Sequence, residues 1–429
     1  MNWQFSKKHM MILSWWHPES VVRNHFGILL DGSVRSGKTL PGSVSYALWS
    51  FHQFPDATQE FFFAGKTIHT VVRNVVRPLM NVADSVGLKV EYKKSENLVI
   101  ITNRANISHR FTLFGGHDES SQDLIRGFTA AGGFFDEAPI MPKSFVETAV
   151  TRLSVEGATA WFTSNPLNPA HWFKKEYIDL ARQKGLLYLH LTMDDNMSLS
   201  ERVRAMYKSF FTGVFYRRNI LGEWCAAEGL VYPGFVSDEN AVFDFEGYGN
   251  YGEMFVAIDY GIQNAMVYLL FGWNTQALRW EIIDEWRHSG RETDTQLTDA
   301  EYYQHLVTFI EGLPVRDIIV DPSATSFIAV IRKSKRYRAL LANNDVIAGI
   351  GYVASLFHIG KLAIARNCVK LIEAMGGYVW DDKKAQRTGE EAPLKVDDHE
   401  CDALRYGCYT HIKRYEKRYG IMLSQEATQ

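Results

Sequence analysis

Residues 32–39 read GSVRSGKT and follow the apolar run 26–30, so a glycine-bearing turn must leave the end of a buried strand. The pattern GxxxxGK[ST] is a phosphate-binding loop. Gly32 and Gly37 allow the backbone around Ser36 to curl its N–H groups onto phosphates. Lys38 can reach the β and γ phosphates, and the Thr39 hydroxyl can ligate magnesium. Past Thr39, Val44, Ala47, Leu48 and Phe51 recur at helical spacing, and Pro41 occupies the first turn, where its missing N–H is tolerated. Strand, loop and helix in this order predict an α/β sheet that binds ATP with Mg2+.

Such a loop needs a second carboxylate on the metal side. GGFFDE at 132–137 supplies an apolar strand ending in paired acids: Asp136 to hold magnesium through water, Glu137 to polarise the attacking water. Between the two motifs the sequence predicts a strand at 60–63, an amphipathic helix with Ile68, Val71, Val72, Val75, Val76 and Leu79 on one face, and a hairpin of 98–102 with 107–114. Strands inserted before the acidic strand point to a RecA-like, additional-strand ATPase. Another strand at 158–162 runs into Thr163, Ser164 and Asn165, whose polar side chains could sense the γ phosphate; alternatively Pro166 simply ends the strand. Arg35, inside the loop, could stabilise transition-state charge in cis, or it is a solvated arginine.

Composition shifts near 222–224, and 226–250 carries Gly229, Pro233, Gly234, Gly247 and Gly249 without helical periodicity. Domains are therefore expected at 1–225 and 251–415, with a linker at 226–250 and a tail at 416–429. The second begins with an apolar strand ending in Asp259, followed by strands at 266–271 and 278–283, a meander. A helix around 295–310 precedes a strand ending in Asp321. This order resembles ribonuclease H, in which two strand-borne acids and a third from a late helix hold two metals. The matching late segment is DDHECDALRY at 397–406. Asp259, Asp321 and Asp402 are the expected ligands of two Mg2+ or Mn2+ ions, because hard cations prefer clustered carboxylates. His399, three residues before Asp402, is either a ligand or proton carrier, or only the start of the helix; Asp398 or Asp397 could take its place. DNA attraction would come from Arg332, Lys333, Lys335 and Arg336, on the helix after Asp321, and from Lys395, unless these form solvated faces.

At 429 residues the chain exceeds one ordinary domain, so two chemistries can coexist. The run 10–16 imitates a signal peptide but stops at His17, Pro18 and Glu19 without a cleavage site, and 265–273 is about half a membrane span. Four cysteines without CxxC spacing argue against a disulfide framework or zinc site, and a reducing cytoplasm fits. The net charge of −3 demands local rather than global attraction to phosphate.

The ordered series GSVRSGKT, LIRGFT with FFDEA, TSNP, MDDNMSL, RRNILGEW with GLVYPGF, VAIDYG, VDPSA and DDHECDALRYG resembles the large terminase subunits of tailed bacteriophages, particularly those related to headful-packaging phages of Gram-positive hosts. The resemblance covers most of the chain. It implies an ATPase motor that docks on the portal protein of an empty procapsid and translocates double-stranded DNA, with a ribonuclease-H-like nuclease that cuts concatemers. It implies a catalytic Arg35, Walker B acids at Asp136 and Glu137, a coupling segment at Thr163, Ser164 and Asn165, and nuclease acids at Asp259 and Asp321, with the third ligand open. It also implies a small terminase subunit as partner, a monomer in solution, and a ring, in this reading a pentamer, on the portal. The setting is the host cytoplasm, without membrane attachment and without retention in the mature virion. Two departures are a Walker B strand of two glycines and two phenylalanines instead of an aliphatic run, and no recognisable adenine-contacting motif.

A helicase or recombinase with a merely DNA-binding second domain would account for the first half but not for three ordered acids. A nuclease with a non-hydrolysing nucleotide switch conflicts with the intact Glu137.

Overall fold

The computed structural model describes residues 5–55, 59–261, 265–293, 295–396, 398–416 and 418–421. The chain divides into two compact units: Met1–Ala205 with Val214–Ala226 and Thr388–Glu390, and Met206–Gly213 with Ala227–Arg387 and Glu391–Gln429.

In the first unit the helix α1 (Lys7–Ser14) precedes β1 (Gly27–Gly32), the loop, and α2 (Thr39–Gln53). The strands β2 (Glu60–Gly65), β3 (Leu88–Lys93), β4 (Leu98–Asn103), β5 (Ser108–Gly115), β6 (Gly132–Phe135), β7 (Thr159–Thr163) and β8 (Leu186–Leu191) complete an eight-stranded sheet of order β3-β4-β5-β2-β6-β7-β1-β8. From β5 to β8 all neighbours are parallel; β3 and β4 run antiparallel at the edge. The additional-strand arrangement is present, but its cause differs from the expected one. The strand separating loop strand β1 from acidic strand β6 is β7, which follows β6 in sequence, whereas the hairpin strands extend the far edge. The edge strand β3 was not expected, although LKVEYK alternates apolar with charged residues in the manner of a half-buried strand; of its residues only Leu88 is buried.

Side chains alternate across this sheet. Ile28, Leu30, Phe61, Phe63, Phe134 and Trp161 face α2 and α1, where Val44, Ala47, Trp49, Ile12 and Trp15 meet them. Leu29, Phe62, Ala64, Phe135, Ala160 and Phe162 face the helix α3 (Lys143–Thr151), with Phe145, Val146 and Ala149. Aromatic bulk explains the glycines of β6. A Cβ on Gly133 would lie 2.3 Å from the Phe62 ring, and one on Gly132 would lie 2.7 Å from Trp49. The helix expected from Ile68 forms as Ile68–Val71, a wider π turn at Val72–Val76, and Arg77–Val82.

The second unit holds β9 (Val242–Phe243), β10 (Tyr251–Asp259), β11 (Ala265–Asn274), β12 (Arg279–Ser289), β13 (Val315–Val320), β14 (Arg338–Leu341) and β15 (Leu362–Ala365), in the order β14-β13-β10-β11-β12-β15-β9. β10, β11 and β12 form the antiparallel meander, and β13 lies parallel to β10. This is the ribonuclease-H-like arrangement, widened by β15 and β9. Within 226–250, expected as linker, Val242–Phe243 pairs with β15, so that part of the stretch belongs to the sheet. One face packs on α4 (Asp299–Phe309) and α5 (Thr325–Ser334) through Tyr302, Leu306, Phe327 and Ile331. On the other lies α6 (His399–Tyr406), close against β10 and β11. Of the expected tail, Tyr419 and Ile421 are buried, and Tyr419 packs on Trp273 and Trp280; residues 417 and 422–429 lie outside the described residues. Among the described residues no helix is long and apolar enough to cross a membrane.

Candidate functional sites

The phosphate loop is built as its residue types require. Gly32 and Gly37 adopt φ of +129° and +79°, and a Cβ on Gly32 would lie 1.8 Å from the Leu191 carbonyl. Arg35 also sits in the left-handed region, at φ +57°, with its side chain on the exposed surface. Lys38 is buried, and its Nζ donates to Gly32 O (3.0 Å), Ser33 O (2.6 Å), Ser36 Oγ (3.1 Å) and Asn165 Oδ1 (3.0 Å). Burial pushes the ammonium down to about 8, against Asp31, Glu137 and Asp136, which hold it up.

The acidic strand brings its residues to the same place. Asp136 Oδ1 accepts from Thr39 Oγ1 and Thr163 Oγ1, each at 3.1 Å, and Oδ2 from Asn74 Nδ2 at 3.5 Å. Burial raises the Asp136 carboxyl above the usual range, opposed by these donors. Glu137, at φ +53°, is pushed up to about 7, first by burial and then by Asp136, with Lys38, Arg73 and Lys66 opposing. The three residues after β7 divide their contacts. Thr163 accepts from Glu137 N (2.8 Å), Ser164 donates to Asp31 (2.7 Å), and Asn165 Nδ2 donates to Glu137 Oε1 (3.3 Å).

Sequence reasoning missed Asp31. It is fully buried at the end of β1 and accepts from Ser164, Tyr188 (2.9 Å) and the Trp224 indole (3.1 Å). Its signal was available: an acid closing an apolar strand, the same pattern that singles out Asp259 and Asp321.

In the second unit the ends of the parallel neighbours β10 and β13 and the start of α6 assemble the acids. His399 Nδ1 donates to Asp259 Oδ2 across 2.8 Å. Asp321 follows β13; its Oδ1 accepts from Ser323 N (2.7 Å) and its Oδ2 from the Tyr406 hydroxyl (3.0 Å). Asp402 Oδ1 accepts from the fully buried Arg405 at 2.8 Å. Burial lifts the Asp259 carboxyl to about 6; Asp402 and Asp321 add to this while His399 opposes. The same bond to Asp259 raises the His399 imidazole.

His399 is thus both the first residue of α6 and a partner of Asp259. Asp398 stands at the helix cap, and Asp397 lies outside the described residues. Among the described residues no three His, Cys, Asp or Glu side chains are drawn together tightly enough for one ion. Each carboxylate instead meets a protein donor: His399 for Asp259, Ser323 N and Tyr406 for Asp321, and Arg405 for Asp402. The donor set nevertheless suits a hard divalent cation: it is rich in carboxylate oxygen, and Asp402 and Asp321 add to the burial that raises Asp259. Arg405 and Tyr406 were also missed, although one lies a helical turn beyond Asp402 and the other beside it.

The basic run is only partly helical. Arg332 and Lys333 end α5, Lys335 leaves it at φ +54°, and Arg336 lies beyond, so the expected placement of all four on one helix is corrected. Lys395, 72% exposed, stands 3.6 Å from Asp398 and 3.7 Å from Asp402, against the acids.

The family model for the terminase large subunit, T4likevirus-type, N-terminal, matches residues 29–248. The structure of the large terminase from a thermophilic bacteriophage is similar at 43% identity and a TM-score of 0.90, covering 95% of this chain and 99% of that one. The same phage protein in complex with ADP matches at 42% identity and 0.89, covering 95% of this chain and 100% of that one. The terminase large subunit of Escherichia phage T5 is 25% identical over 294 residues, 64% of this chain and 64% of its own length. The match to that curated relative therefore spans slightly less than two thirds of it.

Proposed function

This chain belongs to the terminase large-subunit family, and from that premise we propose that it is a phage DNA-packaging motor subunit. It hydrolyses ATP to drive double-stranded DNA through the portal into a procapsid, and it cuts concatemeric DNA with its second unit. The observation that carries the ATPase reading is Asn165, which joins Lys38 to Glu137 at 3.0 and 3.3 Å and thereby connects phosphate loop, strand end and water-polarising acid.

In this reading the loop amides and Lys38 bind the phosphates, Thr39 and Asp136 hold Mg2+, Glu137 orients the attacking water, and Arg35 stabilises charge on the transferring group. Thr163, Ser164 and Asn165 respond to the γ phosphate, since each already touches a different part of the site. Glu137, lifted to about 7, is matched to proton transfer near neutral pH.

In the second unit Asp259, Asp321 and Asp402 would hold two divalent cations, with His399 or Asp398 as further candidates. Such ions lower the pKa of bound water and neutralise the departing 3′ oxygen. His399 orients Asp259 through Nδ1 and can carry a proton at Nε2. Tyr406 and Arg405 hold Asp321 and Asp402 in place. Arg332, Lys333, Lys335 and Arg336 bind DNA phosphates; Lys395 does so only on leaving its acids. Portal protein and small terminase subunit are the partners. The chain is a monomer in solution and a ring, taken as a pentamer, on the portal, acting in the host cytoplasm and absent from the mature virion.

The test is phosphate release from ATP and plasmid cleavage with Mg2+ or Mn2+ in one preparation. Both activities are expected. Turnover without cleavage, even with portal and small subunit added, would favour a helicase-like translocase.

A further inference from the structure

The apex of the phosphate loop is held from outside by two side chains that belong to neither nucleotide motif. His9, on α1 and 3% exposed, places Nε2 3.0 Å from the carbonyl oxygen of Ser36. Asn196, in the turn after β8, donates from Nδ2 to the carbonyl oxygen of Arg35 at 2.8 Å.

Both donors are themselves oriented. A carbonyl can only accept, so His9 carries a proton on Nε2, and its Nδ1 lies 3.0 Å from the hydroxyl of Ser6, the residue that caps α1. Asn196 Oδ1 accepts from Ser198 N at 3.1 Å, which directs its amide nitrogen to Arg35. The flanking residues tie the same two segments together, Lys8 Nζ meeting Asp195 Oδ2 at 2.9 Å. A Cβ on Gly37 would lie 2.9 Å from His9 Nε2 and 3.5 Å from Asn196 Nδ2, so the two close on this glycine from outside.

A trans peptide points its C=O and the following N–H in opposite directions. Holding the Arg35 carbonyl outward therefore turns the Ser36 N–H inward, and holding the Ser36 carbonyl outward does the same for the Gly37 N–H. We infer that His9 and Asn196 are positioning residues for nucleotide phosphate: together they preset the two peptide planes whose amides receive it, and they keep Arg35 in its left-handed conformation. This rests on the ATP reading above. Neither residue touches phosphate, and their effect is to remove a reorganisation that binding would otherwise have to drive.

The test uses the full chain, ADP and ATPγS as binding probes, and steady-state ATP turnover. His9→Leu removes the donor at similar bulk, whereas His9→Gln offers an amide donor at the same reach. Asn196→Leu is the second, less buried variant, which keeps the inference open to refutation should His9→Leu fail to fold. The expected result is a Kd and KM about tenfold higher in His9→Leu and Asn196→Leu with kcat within about threefold, the signature of lost uniform binding. His9→Gln is expected to recover most of the affinity. The double variant should lose less than the product of the single effects, because both act on one loop. Wild-type affinity in both Leu variants overturns the inference, and so does a His9→Gln protein as weak as His9→Leu, which would make packing and not the donor responsible. A wild-type chain that binds neither probe refutes the ATP reading itself, a result distinct from either.

Discussion

The Lys38 ammonium donates to Oδ1 of Asn165 across 3.0 Å, joining the phosphate loop to the end of β7 over 127 positions of sequence. Lys38 has three other acceptors, all within the loop, so phosphate arriving at Nζ must displace some of them. Asn165 is the acceptor whose release is felt elsewhere, because its amide also holds Glu137. Asn165→Ala should therefore lower kcat for ATP by at least about tenfold, roughly 1.4 kcal/mol, with KM within about threefold. Phosphate release against ATP concentration measures both; a rise in KM alone would make Asn165 a binding group.

Glu137→Gln keeps the shape of the site and removes the base. Turnover should fall about a hundredfold or more, while ATPγS binds with affinity close to wild type. Undiminished turnover would exclude Glu137 as the water-polarising group.

Asp321→Ala should eliminate DNA cleavage and leave ATP turnover within a few fold. Tyr406→Phe removes only the hydroxyl that donates to Asp321 at 3.0 Å. Its expected cost is about 1 kcal/mol, or about fivefold in cleavage. If Tyr406→Phe cleaves like the wild type in a metal titration, Tyr406 does not position Asp321.

Much of this was legible in the sequence because both sites use residues at the ends of apolar strands. The loop, Asp136, Glu137, Asp259 and Asp321 each sit where a hydrophobic run stops, a local pattern visible without tertiary knowledge. Hidden from it were contacts whose partners lie far apart: Asp31 with Trp224, His9 with Ser36, Asn196 with Arg35. The separating role of β7 was equally invisible, since spatial strand order is not sequence order. The unusual GGFF strand has a packing cause that emerged only with its neighbours in place.

That cause is testable. Gly133→Ala forces a methyl group toward Phe62, against an ideal Cβ separation of 2.3 Å. A destabilisation of about 1–3 kcal/mol is expected from overpacking, read as a lower denaturation midpoint of the ATPase unit. An unchanged midpoint would mean that the aromatic layer yields freely.

Glu253 gives a pH-dependent prediction for the second unit. Its carboxylate accepts from His411 Nε2 at 3.0 Å and from the Tyr419 hydroxyl, and pairs with Arg418 at 3.1 Å. The His411 hydrogen bond, ahead of the other partners and against burial, holds the carboxyl below its ordinary 4.5. A depressed carboxyl contributes stability above its unfolded pKa and loses it as pH falls through the folded one. Glu253→Gln should therefore lower the denaturation midpoint at pH 7, and the gap from wild type should narrow below about pH 4 as Glu253 itself protonates. A gap of constant size down to pH 3 would contradict the assignment.

Two separable engines on one chain call for a cross of two substitutions against two assays. Wild type, Glu137→Gln and Asp259→Ala are each followed for phosphate release from ATP and for plasmid cleavage in Mn2+. Glu137→Gln is expected to lose only turnover and Asp259→Ala only cleavage. Cleavage surviving in Asp259→Ala, or turnover surviving in Glu137→Gln, would contradict this separation.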